Sequence, residues 1–239
     1  MKKVVLLGGS GTIGSVLARG LKEHYHVVIM DMIEPSWNGD FIQVDATNYE
    51  DLLEKTPGDT DVIINLLRTD TTKGIEDKEC FDKLTSVFFQ ASYYILLVAR
   101  EKGIRRVVYA SSNHVTDAYE KDGFSLLGRE ITVEDVPKSK GLYGVLKFAS
   151  EQLGALFAEE GSVSVINLRI ASVPPLEKRV LNNERLKRTL LKDEDAVHLV
   201  RGAIETDKAF GTYYGVSDWP NKPWSTLNAY EDLGFQAKR

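Results

Sequence analysis

The sequence predicts an α/β chain with a doubly wound, mostly parallel sheet. Three observations carry that expectation. Short apolar runs such as VVLL, VVIM and DVIIN alternate with stretches of helical periodicity. The first run, Val4–Leu7, meets a glycine-rich turn that leads straight into a helical pattern at Ile13, Val16, Leu17 and Leu21. The chain has 239 residues, 43% of them hydrophobic, enough to bury the core of one sizeable domain. Residues 1–239 are read as one such domain, with 171–239 forming most of a small C-terminal portion on the substrate side.

In the opening stretch, KVVLLGGSGTIG, each glycine has a physical reason. Gly8 permits the tight turn, Gly11 lets the backbone approach a pyrophosphate, and Gly14 lets the helix pack closely on the strand. The phosphates then sit at the positive end of the helix, beside Thr12 and Ile13. Val27–Met30 is the second strand, and Asp31 stands at its carboxyl end. An acid there can accept hydrogen bonds from both adenosine ribose hydroxyls and repels a ribose phosphate, so the cofactor expected is NAD rather than NADP. Phe41–Val44 is a third strand, followed by Asp45 and Ala46, a pair able to meet an adenine amino group, and by a short helix over 48–55.

Asp61–Asn65 is the fourth strand, and its carboxyl end belongs beside the glycine turn. Leu66, Leu67 and Arg68 then make a bulky wall against the cofactor. Residues 69–79 are polar and read as a loop over the site. From Cys80 to Lys102 the apolar residues Phe81, Leu84, Phe88, Ala91, Ile95 and Val98 recur at spacings of three and four, which predicts one long helix. Its aromatics, Phe88, Phe89, Tyr93 and Tyr94, fit either a face between two subunits or burial within one. Arg105–Ala110 is the fifth strand and ends in Ser111, Ser112, Asn113 and His114, four polar residues where such sheets do chemistry. Residues 116–140 are polar and irregular. Leu142–Glu160 is an amphipathic helix, and Ser162–Leu168 is the sixth strand, running into Arg169, Ile170, Ala171 and Ser172. After Pro174 and Pro175 comes a basic stretch with Arg179, Arg185 and Arg188, then a helix over Asp193–Thr206, a last strand over Gly211–Val216 and a tail with Trp219 and Trp224.

Tyr143 and Lys147 form a YxxxK pattern on one helical face. A phenol titrates at about 10, and an ammonium one turn away favours the phenolate. The tyrosine can then take the proton of an alcohol whose hydride leaves, with Ser112 hydrogen-bonded to the same oxygen. Net charge is −5, which argues against nucleic-acid or anionic-membrane partners. Cys80 is the only cysteine, so no internal disulfide forms and a reducing compartment fits. No signal peptide is read after MKK, no run spans a bilayer and no metal site is expected. The location expected is the cytoplasm.

The pieces GGSGTIG, Asp31, Asp45, YASSNHV and YGVLK resemble the extended short-chain dehydrogenase/reductase superfamily, the NAD-dependent epimerase/dehydratase family, from residue 3 to about 170. Within it, ASSNH at 110–114, LYGVLKFASEQL at 142–153, NLRIAS at 167–172, EDAVHLVRGAIE and YYGVSDWPNKPW are similar to NAD-dependent uronate dehydrogenases, which oxidise C1 of a uronate to the aldarolactone. The resemblance implies a Rossmann-type fold and a homodimer. It makes Tyr143 the base, Lys147 its partner and Ser112 the holder of the reacting oxygen. The cofactor would lie against Gly8, Gly11, Thr12, Ile13 and Gly14, with Asp31, Asp45 and Ala46 toward adenosine. Leu66, Leu67, Tyr143, Lys147 and Ile170 would flank its other end. Ser112, Asn113, His114 and Ser172 would line the sugar, and an arginine after Ser172 would clamp the carboxylate. Arg179, Arg185 and Arg188 compete for that role, with Arg179 preferred. The chain departs from the pattern at Leu67, Arg68, Asp70 and Phe88 and is shorter than its relatives. A nucleotide-sugar epimerase or dehydratase, and a non-catalytic NAD-sensing protein, remain alternatives.

Overall fold

A computed structural model of the protein describes residues 1–70, 74–175 and 183–238. The first strand, β1 (Lys3–Leu7), is buried along almost its whole length. Its side chains divide by parity: Val4 and Leu6 join one core, Val5 and Leu7 the other. A strand whose two faces are both covered must lie inside a helix–sheet–helix sandwich. The glycine turn follows and opens α1 (Thr12–Leu21), whose Leu17, Ala18 and Leu21 cover the first face. Gly8 has a positive φ of 79°, and a Cβ there would meet the Leu66 and Leu67 backbone at 2.9 Å. Both facts explain why the turn needs glycine at that point.

Around β1 lie β2 (His26–Asp31), β3 (Asp40–Gln43), β4 (Val62–Asn65) and β5 (Arg106–Ser112), then a sixth strand, Ser164–Ile170, and a seventh, Phe210–Gly215. The order is β3-β2-β1-β4-β5-sixth-seventh, and every pairing is parallel. The chain reverses direction across the sheet between β1 and β4, so a crevice opens above their carboxyl ends. On one face α1 packs with the helix Asp193–Glu205 through Leu17, Leu21, Leu199 and Val200. On the other face lie α2 (Tyr49–Lys55), α4 (Ala91–Glu101) and α5 (Leu142–Glu159), with Leu52, Ile95, Leu96 and Phe157 inward.

The long helix expected over Cys80–Lys102 is instead three pieces. α3 (Lys78–Leu84) passes into a π-helical segment, Thr85–Gln90, and then into α4. In this wider turn the Phe88 carbonyl accepts hydrogen bonds from Ser92 Oγ and, across from α5, from Ser150 Oγ at 2.7 Å. Hydrophobic spacing does not register the extra residue, because Phe88, Ala91 and Ile95 stay on the buried side. The irregular 116–140 region contains a small hairpin, Glu120–Lys121 with Phe124–Ser125, and the tail adds a helix, Leu227–Leu233. Among the described residues no helix is long and apolar enough to cross a membrane.

Candidate active site

A cleft of about 470 Å³ opens at the reversal point. The glycine turn, the ends of β4, β5 and the sixth strand, and the start of α5 line it. At its floor, Gly11 caps α1 with no side-chain hydrogen bond to the first-turn N–H groups. Those N–H groups and the helix dipole together favour an anion. Asp31 accepts hydrogen bonds from the Ser10 and Ile33 N–H groups, at 3.0 and 3.2 Å, which hold its carboxylate at the end of β2. Each carboxylate oxygen keeps further acceptor capacity. At the end of β4, Asn65 Oδ1 accepts from the Leu67 N–H, and Nδ2 donates to Ser92 Oγ, so the turn carrying Leu66 and Leu67 is tied to α4.

On the opposite wall β5 ends in Ser112, whose Oγ accepts from the His114 N–H and so caps a short 3-10 turn, Asn113–Val115. Asn113 is buried and its Nδ2 has no partner among the described residues, an unspent donor at the cleft wall. His114 is half-exposed, and its Nδ1 lies 2.7 Å from the Asp117 carboxylate. Gly144 lets α5 approach this turn, since a Cβ there would run into the His114 carbonyl and Ser139 Oγ. That contact brings Tyr143 beside His114, with rings edge-to-face at 5.5 Å, and against Phe88 at 5.1 Å.

Lys147 stands one turn deeper and is buried. Its Nζ donates to the Ala110 carbonyl at 2.7 Å. It also sits over the rings of Phe88, Tyr109 and Tyr143, at 4.6, 4.8 and 5.7 Å from their centroids. Burial pushes its ammonium down to about 7, with the charge of Glu151 opposing. The Tyr143 phenol is raised by burial, while a hydrogen bond with Ser112 and the charge of Arg68 pull it back. The expected lowering of the phenol by Lys147 is therefore not what this arrangement does. Both groups are desolvated, and the Glu151 charge offsets this only in part at Lys147, so burial favours the neutral form of each.

Of the residues expected at the cofactor, Gly8, Gly11, Thr12, Ile13, Gly14, Leu66, Leu67, Tyr143, Lys147 and Ile170 all line the cleft. Asp31, the last residue of β2, and Asp45 and Ala46, past the end of β3, lie outside that lining. Asp45 accepts from the Thr47 N–H and hydroxyl. Ser112, Asn113, His114 and Ser172 share the wall facing the glycine turn. Arg179 lies outside the described residues. Arg185 forks onto the buried Glu120 carboxylate, at 2.9 and 3.1 Å, and donates to Ser172 Oγ. Arg188 stacks on Phe124, 4.0 Å from the ring centroid. Sequence reasoning missed Asp117, Glu120 and the Glu151–Arg169 pair behind Lys147. Glu151 was legible in principle, four residues after Lys147 on one face; Glu120 carried no signal.

A model of the NAD dependent epimerase/dehydratase family matches residues 4–174. The chain belongs to that family. NAD is its cofactor, and the glycine turn, the uncapped helix start and the acid that ends β2 fit it. It is an NAD-dependent dehydrogenase of the extended short-chain dehydrogenase/reductase type. Over 98% of its length the chain is 52% identical to the uncharacterized protein YtbQ of Bacillus subtilis, covering 93% of that protein. It is 24% identical to a uronate dehydrogenase of Pseudomonas syringae over 95% of this chain and 80% of that one. The fold of the family is shared by a glucuronic acid dehydrogenase from Chromohalobacter salexigens, with TM-score 0.84 at 22% identity, covering all of this chain and 85% of that one.

Proposed function

We propose that the protein oxidises C1 of a uronate to its lactone. The observation that carries this reading is the wall formed by Ser112, Asn113, His114, Tyr143 and Lys147, facing the glycine turn across one cleft. NAD supplies the hydride acceptor when bound. As the phenolate, Tyr143 takes the C1 hydroxyl proton, and Ser112, on the same cleft, donates to the same oxygen. The C1–H bonding pair leaves as hydride, the O–H pair becomes the carbonyl bond, and the proton rests on Tyr143. Lys147 holds ribose hydroxyls and, when protonated, favours the phenolate. The unpartnered Asn113 Nδ2 and the Asp117-held His114 are suited to ring hydroxyls. Similarity to uronate dehydrogenases over nearly the whole chain supports a sugar acid as substrate. With Arg185 committed to Glu120 and Arg188 to Phe124, Arg179 is the residue we assign to the carboxylate. Exposed Tyr93 and Leu156, on α4 and α5, support a homodimer through those helices.

The test is a screen of glucuronate, galacturonate and neutral aldoses with NAD and with NADP, read as reduced cofactor. Turnover on uronates with NAD preferred is expected. Equal turnover on neutral aldoses, or none on uronates, overturns the reading.

A further inference from the structure

Arg68 follows β4 at the point where the sheet order reverses, and it is exposed on the cleft. It makes no hydrogen bond or ion pair with any described residue. Lys147, which also lines the cleft, is committed to the Ala110 carbonyl and three rings. The stem of Arg68 crosses the glycine turn, so that its Cδ is 3.7 Å from where a Cβ of Gly11 would be. Gly11 is the uncapped start of α1. An arginine whose guanidinium has no partner among the described residues therefore carries its stem past the uncapped start of α1, which itself favours an oxyanion.

We propose that Arg68 is a cofactor-binding residue that pairs with the pyrophosphate of NAD at the glycine turn. A planar fork of five donors suits a diphosphate, whose adjacent oxyanions it can span, and the helix start meets the same group from its other side. Arg68 and Tyr143 line the same cleft. This separates Arg68 from the bulky-wall reading of Leu66, Leu67 and Arg68: the first two shape the cleft and the third binds.

The experiment is calorimetric titration of wild-type protein, Arg68→Met and Arg68→Lys with ADP-ribose, which carries the diphosphate without nicotinamide, and with adenosine, which carries neither. Loss of a charge-assisted pair predicts ADP-ribose binding weakened roughly 10- to 100-fold in Arg68→Met. Arg68→Lys restores part of the loss, and adenosine changes less than about twofold in either variant. ADP-ribose affinity within about twofold of wild type in Arg68→Met overturns the proposal. So does a loss confined to the KM of a uronate with ADP-ribose unchanged, which would move the anion from cofactor to substrate.

Discussion

Two cations are buried, Lys147 on the cleft wall and Arg169 on the sixth strand, and their surroundings are opposite. Lys147 and Arg169 are 2% and 3% exposed. Arg169 donates through Nε and Nη2 to both oxygens of the Glu151 carboxylate, at 3.0 and 2.8 Å, and through Nη1 to the Tyr214 hydroxyl. Burial works to lower its pKa, yet Glu151 more than offsets this and the guanidinium stays above its ordinary value. Glu151 also accepts from Ser111 Oγ, so the pair ties α5 to β5 next to Ser112. Lys147 has one carbonyl and three aromatic faces, and its ammonium falls to about 7. Arg169 is a clamp between elements with its charge matched. At Lys147 the Glu151 charge does not offset burial, and the ammonium loses its proton more readily.

The largest separation between the two comes from removing Lys147. Lys147→Met should cut turnover by roughly 10²- to 10⁴-fold, the usual worth of positioned acid–base work, while melting at or above the wild-type temperature, because a desolvated ammonium is replaced by an apolar chain. Steady-state kinetics with a thermal melt at neutral pH measures both, and a large drop in stability would place Lys147 among the structural cations. Glu151→Ala should do the reverse. It leaves Arg169 buried without its counter-charge, at about 3–5 kcal/mol, or a fall in Tm of roughly 6–20 °C. An unchanged melt would show that the pair does not clamp α5 to the sheet.

A smaller effect separates the cations by pH. Lys147 in the unfolded chain titrates at about 10.4, well above its folded value of about 7. Between those values the unfolded state binds the extra proton, so stability rises with pH, by up to about 1.4 kcal/mol per unit, and is flat below about 7. Chemical denaturation from about pH 6 to 9 should show that slope in the wild type and lose it in Lys147→Met. A slope that persists in the variant assigns it to another group.

Part of this arrangement is legible in the chain's linear order. The glycine turn, Asp31 and the strand–helix alternation are contiguous in sequence, and their physics is local: backbone conformation, a helix start, an acid at a strand end. The YxxxK spacing is local in the same sense, and both residues line the cleft as expected. The arginines are harder. Arg179, Arg185 and Arg188 are alike in sequence, and only the fold sets Glu120, 65 residues away, against Arg185 and Phe124 against Arg188. The π-helical segment is hidden as well, since one inserted residue leaves the apolar spacing almost unchanged while turning the Phe88 carbonyl toward α5.

By itself the sequence determined the parallel α/β architecture, the strand–glycine turn–helix unit and the one-turn spacing of Tyr143 and Lys147, because each depends on neighbours within a few turns or one strand–turn–helix unit. The tertiary structure decided the electrostatic state of those groups. Burial of Lys147 among Phe88, Tyr109 and Tyr143, the match of Arg169 to Glu151, and the approach of Arg68 to Gly11 all arise where distant segments meet. Charge in a protein is governed by what surrounds it in space, and a sequence orders only what is adjacent along the chain.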